Sequence, residues 1–537
     1  MTPDAPSFFT LDRGTVSTAA SLVAPVAGRY RLLASAAVPA AIDVEGLLED
    51  LAWRVARTDG SLAGSMVGWR DWSRLEVRTG RAPRACLVAA SAQTGALLER
   101  AFISSGWQVA ATFFGPQPDL IAFGEACLDP RLDAVVVGGR DDADQEERDH
   151  ARLLWPRAGA LARLRDDLAV IACGPFIERP EGITDDRLFA LPAPDPVPLT
   201  SSSLLRQAAA QVGAHLSNAG EAAGIDGRAA LRTSISSLAV LLGNRVDGIE
   251  IGAAAASRTL ASSDGEPRHA VIARAGLLPR EVLDDDDAAE AVLRWSSSSL
   301  DPSVRLDRLR DLVLRPWADI EAEGASLRMA ALRAALERLA RTWDPAGDAD
   351  AGWSGADVRV LYGGVFSALP AAAVSLALAD GLRHTGAVTI LHDHARVLAP
   401  LGALPVEGER RRLLADLMDD CLLPLGSLLV TGSLPEPAKG VARLSISTSL
   451  GDEELALDPG GLRLVDLPPG IVARLELDPG SGSVLGVAGR PLRLEVSGGL
   501  GGLLVDTRAT PLALPDSAEQ RRAMLEAWEA AAWPRAT

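Results

Sequence analysis

Lysine and cysteine are scarce in this chain. Lys439 is the single lysine, so arginine carries nearly all of the positive charge and a catalytic lysine is almost excluded. The four cysteines lie far apart in the sequence without Cys-x-x-Cys spacing, which argues against a disulfide framework and against a zinc site. We therefore expect buried, unreactive thiols.

Long apolar runs and an excess of positive charge are missing too. No uncharged apolar run reaches the ~18 residues of a membrane-spanning helix. Residues Met1 to Asp12 include acidic residues and no basic one, unlike a secretory signal. Lysine and arginine number 53 against 71 aspartates and glutamates, and the resulting charge of -18 repels nucleic-acid phosphates. These absences predict a soluble cytoplasmic protein that binds neither nucleic acid nor membrane.

The composition is that of a globular protein with several folding units. The 537 residues are 48% hydrophobic and 23% charged, enough to bury more than one core. A proline-rich stretch at 191–198 and a change of pattern after Pro435 suggest two boundaries. We predict three domains, 1–200, 201–435 and 436–537.

Hydrophobic periodicity predicts an α/β fold for the first two domains. Residues 8–11 and 18–23 form a predicted hairpin, and residues 84–90 and 132–137 are apolar runs of strand length followed by helical patterns. After residue 435 the apolar residues alternate, which is typical of a small β domain. An amphipathic helix over 516–528 closes the chain.

Four glycine turns follow or join apolar strands. They are residues 12–15 (Asp-Arg-Gly-Thr), 137–141 (Val-Gly-Gly-Arg-Asp), 250–253 (Glu-Ile-Gly-Ala) and 362–364 (Tyr-Gly-Gly). Backbone amides at such turns cradle phosphates, and a neighbouring carboxylate can hold Mg²⁺ through water. The alternative is that these glycines only form tight turns.

The turns resemble those of the glutamate mutase L family, the accessory proteins of cobalamin-dependent methylaspartate mutase. Residues 12–19 are similar to its Asp-Ile-Gly-Ser-Thr-x-Thr-Lys turn, keeping the aspartate and glycine but not the lysine. Residues 250–257 (Glu-Ile-Gly-Ala-Ala-Ala-Ala-Ser) are similar to its Asp-Ile-Gly-Gly-Ala-Thr-Thr-Asp turn, with most hydroxyl and carboxylate groups replaced. Residues 361–366 resemble its adenosine turn, with Tyr362 in place of a small residue.

The order of motifs carries the resemblance across nearly the whole chain. Residues 90–97 and 132–142 are partial matches to two further family elements. The C-terminal segments 467–470, 473–479 and 498–512 follow the family order closely. The glycines of 498–502 have two interpretations, a phosphate site or strand turns, and strand turns are favoured.

The resemblance implies an actin-like, ribonuclease-H-like ATPase fold of two lobes, with 1–200 and 201–435 as the lobes. It implies ATP or ADP with Mg²⁺ as ligands, cobalamin being left to the partner, and a cobalamin-dependent mutase subunit as that partner. Asp12 would organise Mg²⁺ through water, and Glu250 would be the second carboxylate. The nucleotide-binding residues would be Asp12, Gly14, Thr15, Gly138, Gly139, Gly252, Gly363 and Gly364.

The altered turns leave three functions open. The first is an accessory protein that assists mutase assembly or reactivation with weakened or lost ATPase activity. The second is a catalytically dead interaction protein, and the third is an ATP-dependent kinase or hydrolase of the same superfamily. Tyr362 either intrudes on the adenine pocket or packs beneath it. His392 and His394 have the spacing of a metal pair but lack an evident third ligand.

Overall fold

A computed structural model describes most of the chain and divides it into two compact units. The described residues are 6–58, 68–115, 119–174, 184–194, 204–218, 225–265, 267–272, 276–316, 322–343, 356–432, 434, 442–478, 483–484, 487–488 and 491–532. Unit A is Met1–Thr79, Gly227–Pro267 and Ala275–Thr537, and unit B is Gly80–Asp226 and Arg268–Arg274. The predicted boundaries at residues 200 and 435 lie outside the described residues.

Strands and helices alternate along much of the chain. In chain order, the strands are β1 (Phe8–Arg13), β2 (Ser17–Val26), β3 (Arg29–Pro39), β4 (Ser73–Arg78), β5 (Arg84–Ala89), β6 (Gln108–Phe114), β7 (Ala134–Gly138), β8 (Ala169–Cys173), β9 (Leu188–Leu191), β10 (Ile225–Asp226), β11 (Val246–Ile251), β12 (Ala256–Ala261), β13 (Arg268–Ile272), β14 (Val358–Tyr362), β15 (Gly386–Asp393), β16 (Leu422–Val430), β17 (Ala442–Thr448), β18 (Gly451–Leu457), β19 (Leu462–Val465), β20 (Val472–Asp478), β21 (Ser483–Val484), β22 (Val487–Ala488), β23 (Leu492–Ser497) and β24 (Leu503–Asp506). The helices are α1 (Val44–Thr58), α2 (Ala92–Ser104), α3 (Leu120–Leu128), α4 (Gln145–Ala162), α5 (Leu204–Asn218), α6 (Gly227–Leu242), α7 (Glu281–Asp284), α8 (Asp286–Leu293), α9 (Pro302–Leu314), α10 (Ala322–Trp343), α11 (Gly364–Ser367), α12 (Ala371–Gly381), α13 (Leu398–Gly402), α14 (Glu407–Cys421) and α15 (Ala518–Ala532).

Unit A contains the same arrangement of three strands twice. In the first repeat, β1 pairs antiparallel with β2 and parallel with β4. In the second repeat, β11 pairs antiparallel with β12 and parallel with β14. In addition, β3 pairs antiparallel with β2, and β15 pairs parallel with β14. The duplicated arrangement agrees with the predicted actin-like fold of two repeats.

The central strand β1 is buried on both faces, which explains its apolar sequence. Phe9 and Leu11 pack against Leu48 and Leu51 of α1, at the i and i+3 spacing of one helical face. Phe8 points to the other face, where α6 contributes its own apolar residues. The sheet of the first repeat therefore lies between two helical layers.

The C-terminal segment forms a small sheet and also extends the second repeat. Strands β17, β18, β20 and β23 make an antiparallel sheet with alternating burial, which confirms the predicted alternation. Strand β24, by contrast, pairs with β16 of the second repeat, and β19 pairs with β24. Helix α15 places Leu525 in the core formed by α7 to α10. The closing helix thus packs on the second repeat.

Unit B is a parallel sheet covered by helices. Its strand order is β6-β5-β7-β8-β9, with every neighbouring pair parallel. Helices α2 and α5 pack on one face through Leu98, Phe102 and Leu205. Helices α3 and α4 pack on the other through Phe123 and Trp155. Unit B is thus a doubly wound α/β unit with its own two-layered core.

Two further sequence predictions are addressed by the described residues. All four cysteines are buried and free, as expected. No described helix is long and apolar enough to cross a bilayer.

Candidate functional site

Two equivalent hairpins form the site in unit A. In the first, the Gly14 amide donates to the Ser17 carbonyl at 2.9 Å, and in the second the Gly252 amide donates to the Ala255 carbonyl at 3.0 Å. A carboxylate lies two residues before each glycine, Asp12 in β1 and Glu250 in β11. The duplicated topology therefore brings one carboxylate from each repeat to the same end of its central strand.

A cavity of about 780 Å³ lies against both hairpins. This volume is within the range of small-molecule sites. Its polar and glycine lining comprises Asp12, Gly14, Thr15, Ser17, Thr79, Arg228, Glu250, Gly252, Arg280, Arg328, Gly363, Gly364 and Arg396, and its apolar lining includes Val16, Ile251, Leu277, Leu278, Leu283, Val313, Leu314 and Val365. Seven sequence-predicted site residues meet here: Asp12, Gly14, Thr15, Glu250, Gly252, Gly363 and Gly364.

Gly138 and Gly139 belong to unit B. Gly138 ends β7, and a Cβ there would lie 2.0 Å from the Leu98 side chain, so packing against α2 requires a glycine at this position. The Gly139 amide donates to the Cys173 carbonyl at 2.9 Å. The two glycines lie at the end of an apolar strand, as predicted.

Gly363 is required by its backbone conformation and by a close approach. Its φ of 128° falls where side chains other than glycine are strained, and a Cβ would lie 2.4 Å from the Ile251 carbonyl oxygen. The loop after β14 therefore passes directly over the end of β11. This close approach brings Gly363 and Gly364 to the second hairpin.

Asp12 is buried and makes an ion pair with Arg396. The Arg396 Nε donates to Asp12 Oδ2 at 2.6 Å, its Nη2 also contacts that oxygen, and its Nη1 donates to Ser17 Oγ at 2.7 Å. Burial lowers the pKa of Arg396, but the charges of and hydrogen bonds to Asp12 and Tyr362 together raise it by more, so the pKa lies above its usual value. Arg396 is therefore charged.

Glu250 is paired in a similar way. The Ser257 hydroxyl donates to Glu250 Oε2 at 2.6 Å, and Arg228 Nε lies 3.5 Å from the same oxygen. Both Glu250 and Arg228 are almost completely buried. Each hairpin carboxylate thus faces a guanidinium supplied by a distant part of unit A.

These surroundings do not fit the predicted role of Asp12 in holding Mg²⁺. Magnesium binds through carboxylate oxygens that keep water and phosphate as neighbours, whereas Arg396 Nε and Nη2 both contact Asp12 Oδ2 and place a fixed positive charge there. Within the described ranges, no three or more His, Cys, Asp or Glu side chains lie together so as to hold a metal ion.

His392 and His394 do not form a metal pair with further ligands in this part of the chain. His394 Nδ1 lies 2.9 Å from the Cys421 carbonyl oxygen, a hydrogen bond that engages the ring. Burial and the neighbouring His394 lower the pKa of His392 to about 4, so its ring is neutral at physiological pH.

Tyr362 lines the cavity and is also part of a core. Its side chain is 5% exposed, and its hydroxyl donates to the Arg396 carbonyl at 3.4 Å. Burial and the nearby Asp12 raise the pKa of the phenol well above its usual value. The buried ring thus packs in the core of the second repeat while part of the residue borders the cavity.

The sequence interpretation missed the arginines. Arg228, Arg280, Arg328 and Arg396 line the cavity against two carboxylates, so the lining is positive although the chain carries a charge of -18. No turn motif or spacing marks them, because each reaches the cavity from a separate helix or loop. The one available signal was the near absence of lysine, which leaves arginine to supply any cation that the site needs.

Comparisons with known proteins give only remote likenesses. No protein-family model matches the chain, and no curated protein matches it. Similar solved structures include a nucleotide-free acetone carboxylase (10% identity, 84% of this chain and 80% of that chain, TM-score 0.29), a PilM–PilN complex of type IV pilus biogenesis (16%, 76% and 94%, 0.25) and a PPX–GPPA enzyme of Aquifex aeolicus (7%, 69% and 71%, 0.19). The repeated strand order and the two hairpins, by contrast, are features of the chain itself.

Proposed function

We propose that this protein is a non-hydrolysing member of the actin-like ATPase fold that binds a nucleotide in the unit A cavity and acts as an accessory protein. One observation carries the proposal. The two carboxylates at which an ATPase of this fold would organise Mg²⁺ are each in an ion pair with arginine, Asp12 with Arg396 and Glu250 with Arg228.

The loss of hydrolysis follows from these pairs. Phosphoryl transfer depends on metal ions that neutralise developing charge and on groups that orient the attacking water. A carboxylate paired with a buried guanidinium is less suited to either task, because its charge is already balanced by the arginine and one of its oxygens is engaged. Ala255 and Ala256 stand where the resembled family has threonines, whose hydroxyls would contact phosphate.

Ligand binding is supported by the chemistry of the cavity. Four arginines supply positive charge near the glycine turns, which suits a phosphate group. Leucine and valine side chains line another part of the cavity, which suits the base and sugar of a nucleotide. Arg280 is exposed at the cavity, where a ligand can reach it.

As the partner we propose a subunit of a cobalamin-dependent mutase, with cobalamin bound by that subunit. The support is the motif order shared with the glutamate mutase L family, above all over residues 467–512. Sedimentation of the purified protein with such a subunit, with and without ADP, would test this. Independent sedimentation of the two proteins in both conditions would refute it.

Calorimetric titration with ATP and ADP, combined with a phosphate-release assay, tests the nucleotide proposal. We expect micromolar binding and no turnover above background. Arg280→Ala should weaken binding by about tenfold because a charge-assisted contact is lost. Arg315→Ala is the matched control, since Arg315 is exposed, pairs with Asp311 and does not line the cavity.

Two outcomes would contradict the proposal. Absence of binding up to millimolar ligand would leave an interaction protein with no nucleotide function. Phosphate release that Asp12→Ala abolishes would show an active ATPase, the alternative that the sequence left open.

A further inference from the structure

Arg396 connects the two repeats of unit A at the carboxylate of the first hairpin. Its guanidinium contacts Asp12 and Ser17, both from the first repeat, although Arg396 itself follows β15 of the second. A Cβ on Gly14 would lie 3.5 Å from Arg396 Nη2. The guanidinium therefore contacts both ends of the turn from Asp12 to Ser17.

The loop that carries Arg396 is fixed on both sides. Asp393 accepts hydrogen bonds from the amides of Val397 at 3.1 Å and Leu398 at 2.7 Å. The Ser21 hydroxyl donates to the Ala395 carbonyl at 3.0 Å, which ties the loop to β2. Surrounding contacts thus define the position from which the Arg396 side chain extends.

The backbone of Arg396 is strained. Its φ of 56° lies in the left-handed region, which residues other than glycine and asparagine rarely adopt. Such conformations persist where surrounding structure enforces them, and they cluster at functional sites. The loop holds Arg396 in this strained conformation, and its side chain extends to Asp12.

The cation beside Asp12 is a side chain of the protein itself, the Arg396 guanidinium. The Arg396 side chain is 10% exposed and that of Asp12 is 2% exposed, so the pair is shielded from water. A guanidinium is charged at every physiological pH and presents several donors in one plane. A divalent ion approaching Asp12 would meet both steric exclusion and repulsion from this fixed charge.

We propose that Arg396 is a built-in replacement for the divalent cation of this fold. It excludes metal from Asp12, balances the charge of that carboxylate without metal so that an anionic ligand is not repelled, and holds the two repeats together in the absence of ligand. Metal exclusion is independent of the proposed function, whereas metal-independent nucleotide binding rests on it.

Titration with Mn²⁺ alone, followed by electron paramagnetic resonance, tests metal exclusion in the full chain. Wild type should bind no Mn²⁺ at this site, and Arg396→Gln should gain one site that is at least about tenfold tighter than any binding in wild type. The double variant Asp12→Asn with Arg396→Gln should lose that site. Circular dichroism verifies that each variant is folded.

Two matched controls separate metal exclusion from a general change of charge. Arg396→Lys keeps the cation on the same strained backbone, so it should still exclude Mn²⁺. Arg280→Gln removes one positive charge from the same cavity without freeing a carboxylate, so it should gain no site. A gain in either control would overturn the assignment of metal exclusion to Arg396.

The remaining outcomes separate a failure of the inference about Arg396 from a failure of the proposed nucleotide binding. Wild type that binds one Mn²⁺, with Asp12→Asn abolishing it, would overturn the inference even if the Gln variant did not fold. Nucleotide binding in wild type should be equal in Mg²⁺ and in EDTA, and a strict requirement for Mg²⁺ would also overturn it. Absence of nucleotide binding in both buffers would refute the proposed function and leave the Mn²⁺ result to decide the role of Arg396.

Discussion

Asp393 is a fully buried carboxyl group close to the Arg396–Asp12 ion pair. Burial, which penalises the charged form, raises its pKa to about 7, and the nearby Asp12 acts in the same direction. The amides of Leu398 and Val397 oppose this shift. Because the ordinary aspartate pKa is about 3.9, the folded protein holds a proton here that the unfolded chain releases between these two values.

We therefore expect the contribution of Asp393 to the free energy of unfolding to fall as pH rises from about 4 to about 7, and to stay constant above that range. Urea denaturation of wild type and Asp393→Asn at several pH values measures this as a changing difference between the two proteins. Asparagine also changes the free energy of unfolding by an amount that does not depend on pH. Its side chain has one carbonyl oxygen, and not two oxygens, to accept hydrogen bonds from the two backbone amides. A difference independent of pH would show that Asp393 titrates normally.

His392 has the opposite effect on the pH dependence of stability. The comparison of wild type with Asp393→Asn cancels that effect. Its lowered pKa of about 4 means that the unfolded chain binds a proton more readily, so its contribution to stability rises between about pH 4 and 6.5. Because His392 is present in both proteins, its effect cancels in the difference. The pH dependence of wild type alone would mix the two groups.

Helix α13 approaches α6 so closely that the contact requires a glycine at position 402. A Cβ on Gly402 would lie 1.8 Å from the Ala230 carbonyl oxygen and 2.9 Å from Ser234 Oγ. Ser234 Oγ donates to the Leu398 carbonyl at 2.5 Å, so this approach also satisfies a buried hydroxyl. Helix α13 follows directly on the Arg396 loop, and its position therefore helps to set that of Arg396.

Gly402→Ala should destabilise the protein by about 3 kcal/mol, since the clash is with backbone that must shift. Gly408→Ala is the matched control, because Gly408 lies exposed in α14 and a Cβ there would have no other atom within 4 Å. There alanine should stabilise by about 0.5–1 kcal/mol through helix propensity. Equal midpoints of urea denaturation for the two variants would refute the close-packing explanation.

The two compact units have separate hydrophobic cores, and unit A is further joined by its C-terminal segment. In unit A, Arg333 pairs with Asp380 at 2.6 Å and with Glu529 of α15 at 2.7 Å, and Arg508 pairs with Asp380 at 2.7 Å. Removing one partner from such a buried network costs more than an exposed pair would. Residues near the C-terminus thus stabilise the second repeat.

Separate cores predict two unfolding transitions in differential scanning calorimetry. Phe123→Ala in α3 removes a side chain that is 1% exposed and packs edge-on against Phe113 at 5.4 Å. It should cost about 3–5 kcal/mol and lower the unit B transition by roughly 10 °C. Nucleotide should still raise the midpoint temperature of the unit A transition in this variant. A single transition that moves as a whole would contradict this prediction.

The sequence alone determined the α/β class, the first hairpin and the glycine turn after the second central strand, because their signals are local. Apolar runs of strand length and glycine turns are readable from a few consecutive residues, and they located Asp12 with Gly14 and Glu250 with Gly252. The alternation after residue 435 likewise predicted the small antiparallel sheet. The pairing of β24 with β16 was not readable, since sheet neighbours far apart in the chain have no local signature.

The tertiary structure alone decided what the site is made of. Arg396 lies 384 positions from Asp12, and no spacing links such residues before the chain folds. The fold also assigns Gly138 and Gly139 to unit B, whereas both hairpins belong to unit A. Local sequence thus fixes where a carboxylate ends a strand, while long-range packing decides which charge faces it.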